Sequence, residues 1–178
     1  MGLTVVHGIV KNHGGVITTQ SNYGKGTVFN VFLPCIQSDG NLKKPSSKPL
    51  PTGDEKILFV DDDRAIVDAG KRILEKMGYR VITATGGLDA LKIFTSEKDP
   101  FDLIITDMTM PDLTGVELAK KIFSINPTAS IILCTGYSTT ITPDKAKDIG
   151  FKDFLLKPVT KHKIAETIRN IIDKTKIS

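Results

Sequence analysis

The sequence predicts an α/β protein built on a doubly wound, five-stranded parallel sheet. Two observations support this prediction. Residues 36–53 are rich in proline, serine, glycine and lysine and show no apolar periodicity, which is typical of a linker. After them, short apolar runs alternate five times with amphipathic stretches, and that alternation indicates parallel strands joined by helices. The commonest strand order for such a five-stranded sheet with an internal switch point is 2-1-3-4-5.

The first apolar run, at residues 56–60, is followed by an amphipathic helix. Asp63 is predicted to cap the start of this helix and Gly78 to end it. The positions predicted for its buried stripe are Ile66, Ala69, Ile73, Leu74 and Met77. The second run, at residues 79–84, leads to a helix whose apolar positions are Leu88, Leu91 and Phe94.

The remaining elements carry clear end signals. The third run, at residues 102–106, stops at Asp107, and a capping box of Thr114 and Glu117 opens the next helix. The fourth run, at residues 130–135, precedes a short helix with Thr142 as cap, Pro143 as first residue and Gly150 as terminator. The fifth run spans residues 153–156. The last helix is predicted to bury Ile164, Ala165, Ile168, Ile171 and Ile172.

Charge and hydropathy exclude several classes of function. The 178 residues carry a net charge of +4, but residues 1–53 hold all of this excess and residues 54–178 are neutral. A nucleic-acid interface is therefore not expected. No apolar run approaches the roughly 18 residues of a membrane span, and no secretory leader is recognisable, so we expect a cytoplasmic chain without membrane contact. Cys35 and Cys134 are interpreted as reduced thiols and receive no role.

Polar residues follow four of the five predicted strands. Asp61, Asp62 and Asp63 come after the first strand, and Asp107, Thr135 and Lys157 come after the third, fourth and fifth. Because ligands of such sheets bind at the carboxyl ends of the strands, these side chains should converge. Clustered carboxylates favour a hard divalent cation, for which Mg²⁺ or Mn²⁺ is the expected occupant. In this arrangement Asp107 would be both nucleophile and metal ligand, while Lys157 and Thr135 would contact phosphoryl oxygens.

These residues carry a family resemblance. The segments ILFVDDD, DLIITDMTMPDLTG, IILCTGYS and DFLLKP make residues 54–178 similar to the receiver domains of two-component response regulators and hybrid sensor kinases, which have a flavodoxin-like fold. The resemblance implies that Asp107 is phosphorylated, that Asp61, Asp62 and the Thr109 carbonyl complete the metal site, and that Lys157 contacts the phosphate. Thr135 and Phe154 would be the switch pair. The resemblance also implies a cis peptide bond between Lys157 and Pro158.

A second resemblance covers residues 1–35. The stretch MGLTVVHGIVKNHGG is similar to the helix after the second glycine box of a sensor histidine kinase ATP-binding domain, and GKGTVFNVFLP to its closing strand. This resemblance implies a helix and a β-hairpin, and a parent protein that is a hybrid histidine kinase. The chain lacks the other kinase boxes. By itself it is therefore expected to be no enzyme, apart from self-phosphorylation and autodephosphorylation at Asp107.

The expected partners follow from the resemblance. They are a phosphohistidine donor and a histidine phosphotransfer protein; a homodimer through the fourth helix and fifth strand stays open. Two alternatives were weighed. A metal-dependent phosphohydrolase with an Asp nucleophile would need a D-x-D-x-T motif, whereas Ala65 stands at the Thr position. A pseudo-receiver that only binds partners would usually lack the acceptor or the lysine, and both are present here.

Overall fold

A computed structural model describes residues 2–35, 49–136 and 143–177. The chain divides into two compact units, Met1–Ser47 and Lys48–Ser178. Most of the expected linker, at residues 36–48, and the expected cap Thr142 lie outside the described residues.

The first unit contains the helix and hairpin that the second resemblance implied. Helix α1 spans Gly2–Asn12, and strands β1 (Val16–Asn22) and β2 (Gly26–Phe32) pair antiparallel. The turn between the strands contains Gly24 at φ 75°, and Gly26 at φ 97° follows it, two left-handed conformations that glycine adopts without strain. Among the large apolar side chains that the structure describes in this unit, Val10 is buried and most of the others are exposed.

The second unit is the predicted five-stranded parallel sheet. Its strands are β3 (Lys56–Val60), β4 (Arg80–Ala84), β5 (Leu103–Asp107), β6 (Ile131–Thr135) and β7 (Asp153–Leu156). Its helices are α2 (Arg64–Lys76), α3 (Gly87–Ser96), α4 (Gly115–Ile125), α5 (Pro143–Ile149) and α6 (Lys161–Ile177). The strands lie in the order β4-β3-β5-β6-β7, so the predicted order 2-1-3-4-5 is confirmed.

Helices cover both faces of the sheet, which explains why the central strands are buried throughout. All five residues of β3, β5 and β6 are buried. Ile57 and Phe59 belong to the core cluster with residues of α2 and α6. Leu58 and Val60 belong to the cluster with residues of α3, α4 and α5. Successive side chains of a strand point to opposite faces, so each central strand contributes to both cores.

The predicted helix ends are confirmed wherever they are described. The Ala65 amide donates to Asp63 Oδ1 at 2.8 Å, which caps α2. Thr114 and Glu117 form the complete capping box of α4. Gly78 and Gly150 follow α2 and α5 at φ 97° and 111°. The five apolar positions predicted for the last helix are all buried in α6.

Two predicted core positions of α2 and one of α3 were wrong. Ile66 and Ala69 of α2 are exposed, whereas Val67 is buried. The physical reason is an open groove of about 660 Å³ between α2 and α6, which Ile66 and Ala69 line. In α3, Leu88 is 48% exposed, and Gly87 and Ala90 make the close contact with the rest of the unit instead.

The last residues of the expected linker pack against the second unit. Leu50 contacts the core cluster of α2 and α6. The Gly53 amide donates to the Met77 carbonyl at 3.0 Å. Arg169 of α6 donates through Nη1 to the Thr52 carbonyl at 3.1 Å. The segment that enters β3 is therefore fixed to the C-terminal end of α2 and to the middle of α6.

Candidate functional site

The predicted site residues meet at the carboxyl-terminal edge of the sheet. Asp61 directly follows β3, Asp107 is the last residue of β5, and Lys157 directly follows β7. The parallel register pairs Val60 with Thr106, which brings the ends of β3 and β5 level. The topology thus places residues that are 46 and 50 positions apart in the sequence on one edge.

Lys157 lies between the two carboxylates. Its Nζ is 2.6 Å from Asp61 Oδ2 and 2.5 Å from Asp107 Oδ1. The Asp61 and Asp107 side chains are 3% and 9% exposed, and that of Lys157 is 29% exposed. Two nearly buried carboxylates therefore share one partly exposed ammonium group.

Backbone amides hold the remaining carboxylate oxygens. The Asp63 amide donates to Asp61 Oδ1 at 3.0 Å, and the Thr109 amide donates to Asp107 Oδ2 at 2.7 Å. Each amide lies two residues after the carboxylate that it contacts, so the local chain turn fixes each side chain. The Asp107 carboxylate is consequently oriented before any ligand binds.

The site is electrostatically unbalanced. Partial burial alone would lower the pKa of the Lys157 ammonium, but its hydrogen bonds to Asp107 and Asp61, together with the charges of these two carboxylates, raise the pKa above its usual value. Lys157 is therefore charged at neutral pH. Two carboxylates face this single cation, which leaves an excess of negative charge that a further cation would neutralise.

The oxygen atoms at the site suit a hard divalent cation. Asp61 and Asp107 supply carboxylate oxygens at one point, which is the ligand type that Mg²⁺ prefers. Asp62, the third predicted carboxylate, is exposed next to them. In the part of the chain that the structure describes, no group of three His, Cys, Asp or Glu residues is already arranged to hold an ion.

The predicted switch residues lie on β6, which pairs with the strand of Asp107, and on β7, the edge strand beyond it. Thr135 is 3% exposed at the end of β6, and its hydroxyl has two acceptors within reach, Met108 Sδ at 3.7 Å and the Gly136 carbonyl at 3.3 Å. Phe154 of β7 is partly buried and packs against the core cluster of α3, α4 and α5. The Lys157 amide donates to the Thr135 carbonyl at 2.7 Å, and the Lys157–Pro158 bond is cis as expected.

Two further residues shape the site and were not singled out in the sequence. The Met108 sulfur atom is an acceptor for the Thr135 hydroxyl. The Met108 backbone amide donates to the Cys134 carbonyl at 2.8 Å and so connects Met108 to β6. Gly115 opens α4 so close to Asp107 that a Cβ atom there would clash with the Asp107 carbonyl oxygen. A glycine directly after the Thr114 cap, where helix formers are favoured, was the available signal.

The family model described as the response regulator receiver domain matches residues 57–169. The chain belongs to this family. The chain is also 31% identical to the chemotaxis protein CheY of Thermotoga maritima, over 66% of this chain and 97% of that protein. The receiver domain protein of Clostridium thermocellum has a similar structure, with 35% identity and a TM-score of 0.66 over 69% of this chain and 98% of that one. The receiver domain is thus part of a two-component system, and the phosphohydrolase alternative is not supported.

One similarity extends over the first unit as well. The chain is 30% identical to the sensor kinase CckA of Brucella abortus over 98% of its own length, but it spans only 19% of that sensor kinase. No helix in the described ranges is long and apolar enough to cross a membrane.

Proposed function

We propose that Asp107 is the phosphoacceptor of this receiver domain and that it takes a phosphoryl group from a phosphohistidine. The observation that carries the proposal is the contact of Lys157 with both Asp107 and Asp61 at the carboxyl-terminal edge of the sheet. A carboxylate that is oriented by a backbone amide and lies beside a fixed cation is suited to phosphoryl transfer, which depends mainly on positioning and charge neutralisation.

Each residue of the site would have a distinct role in phosphoryl transfer. An Asp107 oxygen forms the new bond to phosphorus while the bond from phosphorus to the donor imidazole nitrogen breaks. The Lys157 ammonium, which is already within contact distance of Asp107, would neutralise charge on the phosphoryl oxygens. Water attack on the resulting acyl phosphate would return the carboxylate, so the chain would catalyse only its own phosphorylation and dephosphorylation.

A metal ion would neutralise the negative charge that the carboxylates have in excess of the Lys157 ammonium. We assign Mg²⁺, or Mn²⁺, to Asp61, Asp62, Asp107 and the backbone carbonyl of Thr109. When bound, the ion would supply positive charge for the phosphoryl oxygens and reduce the repulsion between the carboxylates. Asp61 and Asp107 offer nearly buried carboxylates, whereas Asp62 is exposed and would complete the site from solvent.

The response to phosphorylation would pass through β6 and β7. Thr135 lies at the end of β6, and its backbone already joins Lys157, so a change at the phosphoacceptor reaches both strands. We propose that the Thr135 hydroxyl exchanges its contact with Met108 for a phosphoryl oxygen, and that Phe154 changes its packing in response.

We infer that the first unit is the closing part of a sensor kinase ATP-binding domain and that the parent protein is a hybrid histidine kinase. The similarity to a sensor kinase over 98% of this chain supports the inference, as does the number of apolar side chains that the unit exposes. In such a parent, the phosphoryl donor would be a phosphohistidine of the kinase and the acceptor a histidine phosphotransfer protein. All of these partners would act in the cytoplasm.

The test is chemical labelling with acetyl phosphate and magnesium. The unaltered chain should take up one phosphoryl group, and Asp107→Asn should take up none. Asp63→Asn is the matched control because Asp63 lies at the same edge of the sheet and asparagine caps a helix as well as aspartate does. Labelling of the Asp107→Asn protein at the level of the control would overturn the proposal.

A further inference from the structure

Met108, the residue directly after the proposed phosphoacceptor, connects the strand of Asp107 to the strand of Thr135. Its amide donates to the Cys134 carbonyl at 2.8 Å, which continues the pairing of β5 with β6 by one residue. Its carbonyl accepts a hydrogen bond from the Gly115 amide at 3.0 Å. Because both backbone groups of Met108 are bonded to neighbouring elements, a change of conformation at this residue is confined to its side chain.

The Met108 side chain lies on the face of the sheet that α3, α4 and α5 cover, which we call the switch face. In β5, Ile104 belongs to the core cluster of the switch face, whereas Ile105 belongs to the cluster of α2 and α6. Because side chains alternate along an extended chain, Met108 has the orientation of Ile104, and Asp107 has the opposite one. Met108 accordingly packs against the core cluster of the switch face.

The two switch residues lie on the same face as Met108. In β6, Leu133 belongs to the cluster of the switch face and Cys134 to the opposite cluster, so Thr135 has the orientation of Leu133. In β7, Phe154 packs against the cluster of the switch face. The register of β5 and β6 makes Met108 level with Thr135. Met108 is therefore the residue next to the switch threonine on the strand that carries the acceptor.

The Met108 thioether and the Thr135 hydroxyl are in contact. Sδ and Oγ1 are 3.7 Å apart, a distance at which the hydroxyl can donate to sulfur. The second acceptor, the Gly136 carbonyl, belongs to the residue next to Thr135 and does not tie the hydroxyl to the acceptor strand. A thioether sulfur is a weak acceptor, whereas a charged phosphoryl oxygen is a strong one. Met108 can therefore hold the hydroxyl in the resting chain and lose it to a phosphoryl group on Asp107.

We propose that Met108 is a positioning residue that holds the Thr135 hydroxyl in its resting orientation and thereby sets how often the unphosphorylated chain adopts the switched conformation. This inference rests on the proposed roles of Asp107 and Thr135. Phosphorylation must break the Met108 contact before the hydroxyl reaches the phosphoryl group, so the strength of the contact enters the response. A weaker acceptor at position 108 favours the switched conformation, and a stronger acceptor favours the resting one.

Two substitutions vary the acceptor at position 108 with little change in side-chain volume. Met108→Leu removes the acceptor, and leucine replaces methionine in cores at small cost. Met108→Gln keeps the unbranched shape and offers a carbonyl oxygen, which is a stronger acceptor than a thioether. Met110→Leu is the matched control, because Met110 is buried in the same core cluster and undergoes the same exchange of side chains. A thermal melt of each variant verifies folding.

The first measurement is the χ1 rotamer of Thr135 in the chain without metal or phosphoryl group. Three-bond couplings from the Thr135 methyl carbon to its backbone nitrogen and carbonyl carbon report this rotamer. The parent, Met108→Gln and Met110→Leu should show the couplings of one rotamer. In Met108→Leu, the ratio of a second rotamer to the first should rise about fivefold, which is the effect of losing one hydrogen bond. Unchanged couplings in Met108→Leu would mean that the Gly136 carbonyl orients the hydroxyl, and would overturn the proposal.

The second measurement is the affinity for beryllofluoride, an analogue of the phosphoryl group, in the presence of magnesium. The affinity should rise about threefold in Met108→Leu and fall about threefold in Met108→Gln, while Met110→Leu should bind as the parent does. In a Thr135→Ala background no hydroxyl remains to be held, so Met108→Leu should change the affinity less than about 1.5-fold. Effects of equal size in both backgrounds would contradict the proposal. A parent chain that binds no beryllofluoride would refute the proposed role of Asp107, whereas the rotamer couplings decide the role of Met108 by themselves.

Discussion

Replacing Lys157 by methionine should destabilise the receiver unit. The substitution keeps an apolar side chain of similar length but removes the ammonium that Asp61 and Asp107 share. Two carboxylates that are 3% and 9% exposed would then face each other without a cation. Removing one partner of a fully buried ion pair costs about 3 to 5 kcal/mol. Since the Lys157 side chain is 29% exposed and solvent screens its charge, we expect a loss below this range, about 2 kcal/mol.

The assay is urea unfolding followed by far-ultraviolet circular dichroism in a buffer with EDTA. A loss of about 2 kcal/mol should lower the urea midpoint by about 1 M for a small domain. Asp107→Asn in the Lys157→Met background should restore at least half of the lost stability, because it removes one of the two facing charges. If the midpoint of Lys157→Met stays unchanged, or if Asp107→Asn lowers it further, the electrostatic account of the site is wrong.

Three further predictions concern the scaffold. Thr114→Ala removes the N-cap of α4 and should lower the free energy of unfolding by about 1 kcal/mol in urea melts. Hydrogen bonds from the Thr114 side chain and backbone lower the pKa of Glu117 below its usual value. The stability that Glu117 contributes is therefore present above its unfolded pKa and is lost as the pH falls through its folded pKa. The free energies of unfolding of the parent and of Glu117→Gln should consequently converge in acid, as measured by urea melts. Gly78→Ala should cost more than about 1 kcal/mol by thermal melt, since Gly78 has φ 97° and a Cβ there would lie 2.5 Å from the Gly53 carbonyl oxygen.

The strands and the helix ends could be predicted from the sequence because both depend on local patterns, and the strand order followed from the usual order of such sheets. The apolar runs gave the five strands, and Thr114 with Glu117 gave the start of α4, since a capping box needs only residues three apart. The meeting of Asp61, Asp107 and Lys157 followed from a rule of parallel sheets, in which all carboxyl ends lie on one edge. These features were therefore accessible before any coordinates were known.

Other features depend on which elements pack together, and the sequence alone does not specify this. Ile66 and Ala69 have the periodicity of a buried stripe, yet they line an open groove because α2 and α6 leave space between them. Leu50 and Gly53 lie in a stretch with linker composition, yet tertiary contacts with α2 and α6 fix that stretch to the receiver unit. The position of Lys157 between two carboxylates could be predicted only as proximity, and not as a shared ion pair.

The most direct test of the central claim is the chemical identity of the phosphorylated residue. After labelling with acetyl phosphate and magnesium, peptide mass spectrometry should place one phosphoryl group on Asp107, and hydroxylamine should remove it because an acyl phosphate is cleaved by that nucleophile. A phosphoryl group that resists hydroxylamine, or one that maps to Thr135 or another hydroxyl, would contradict the claim.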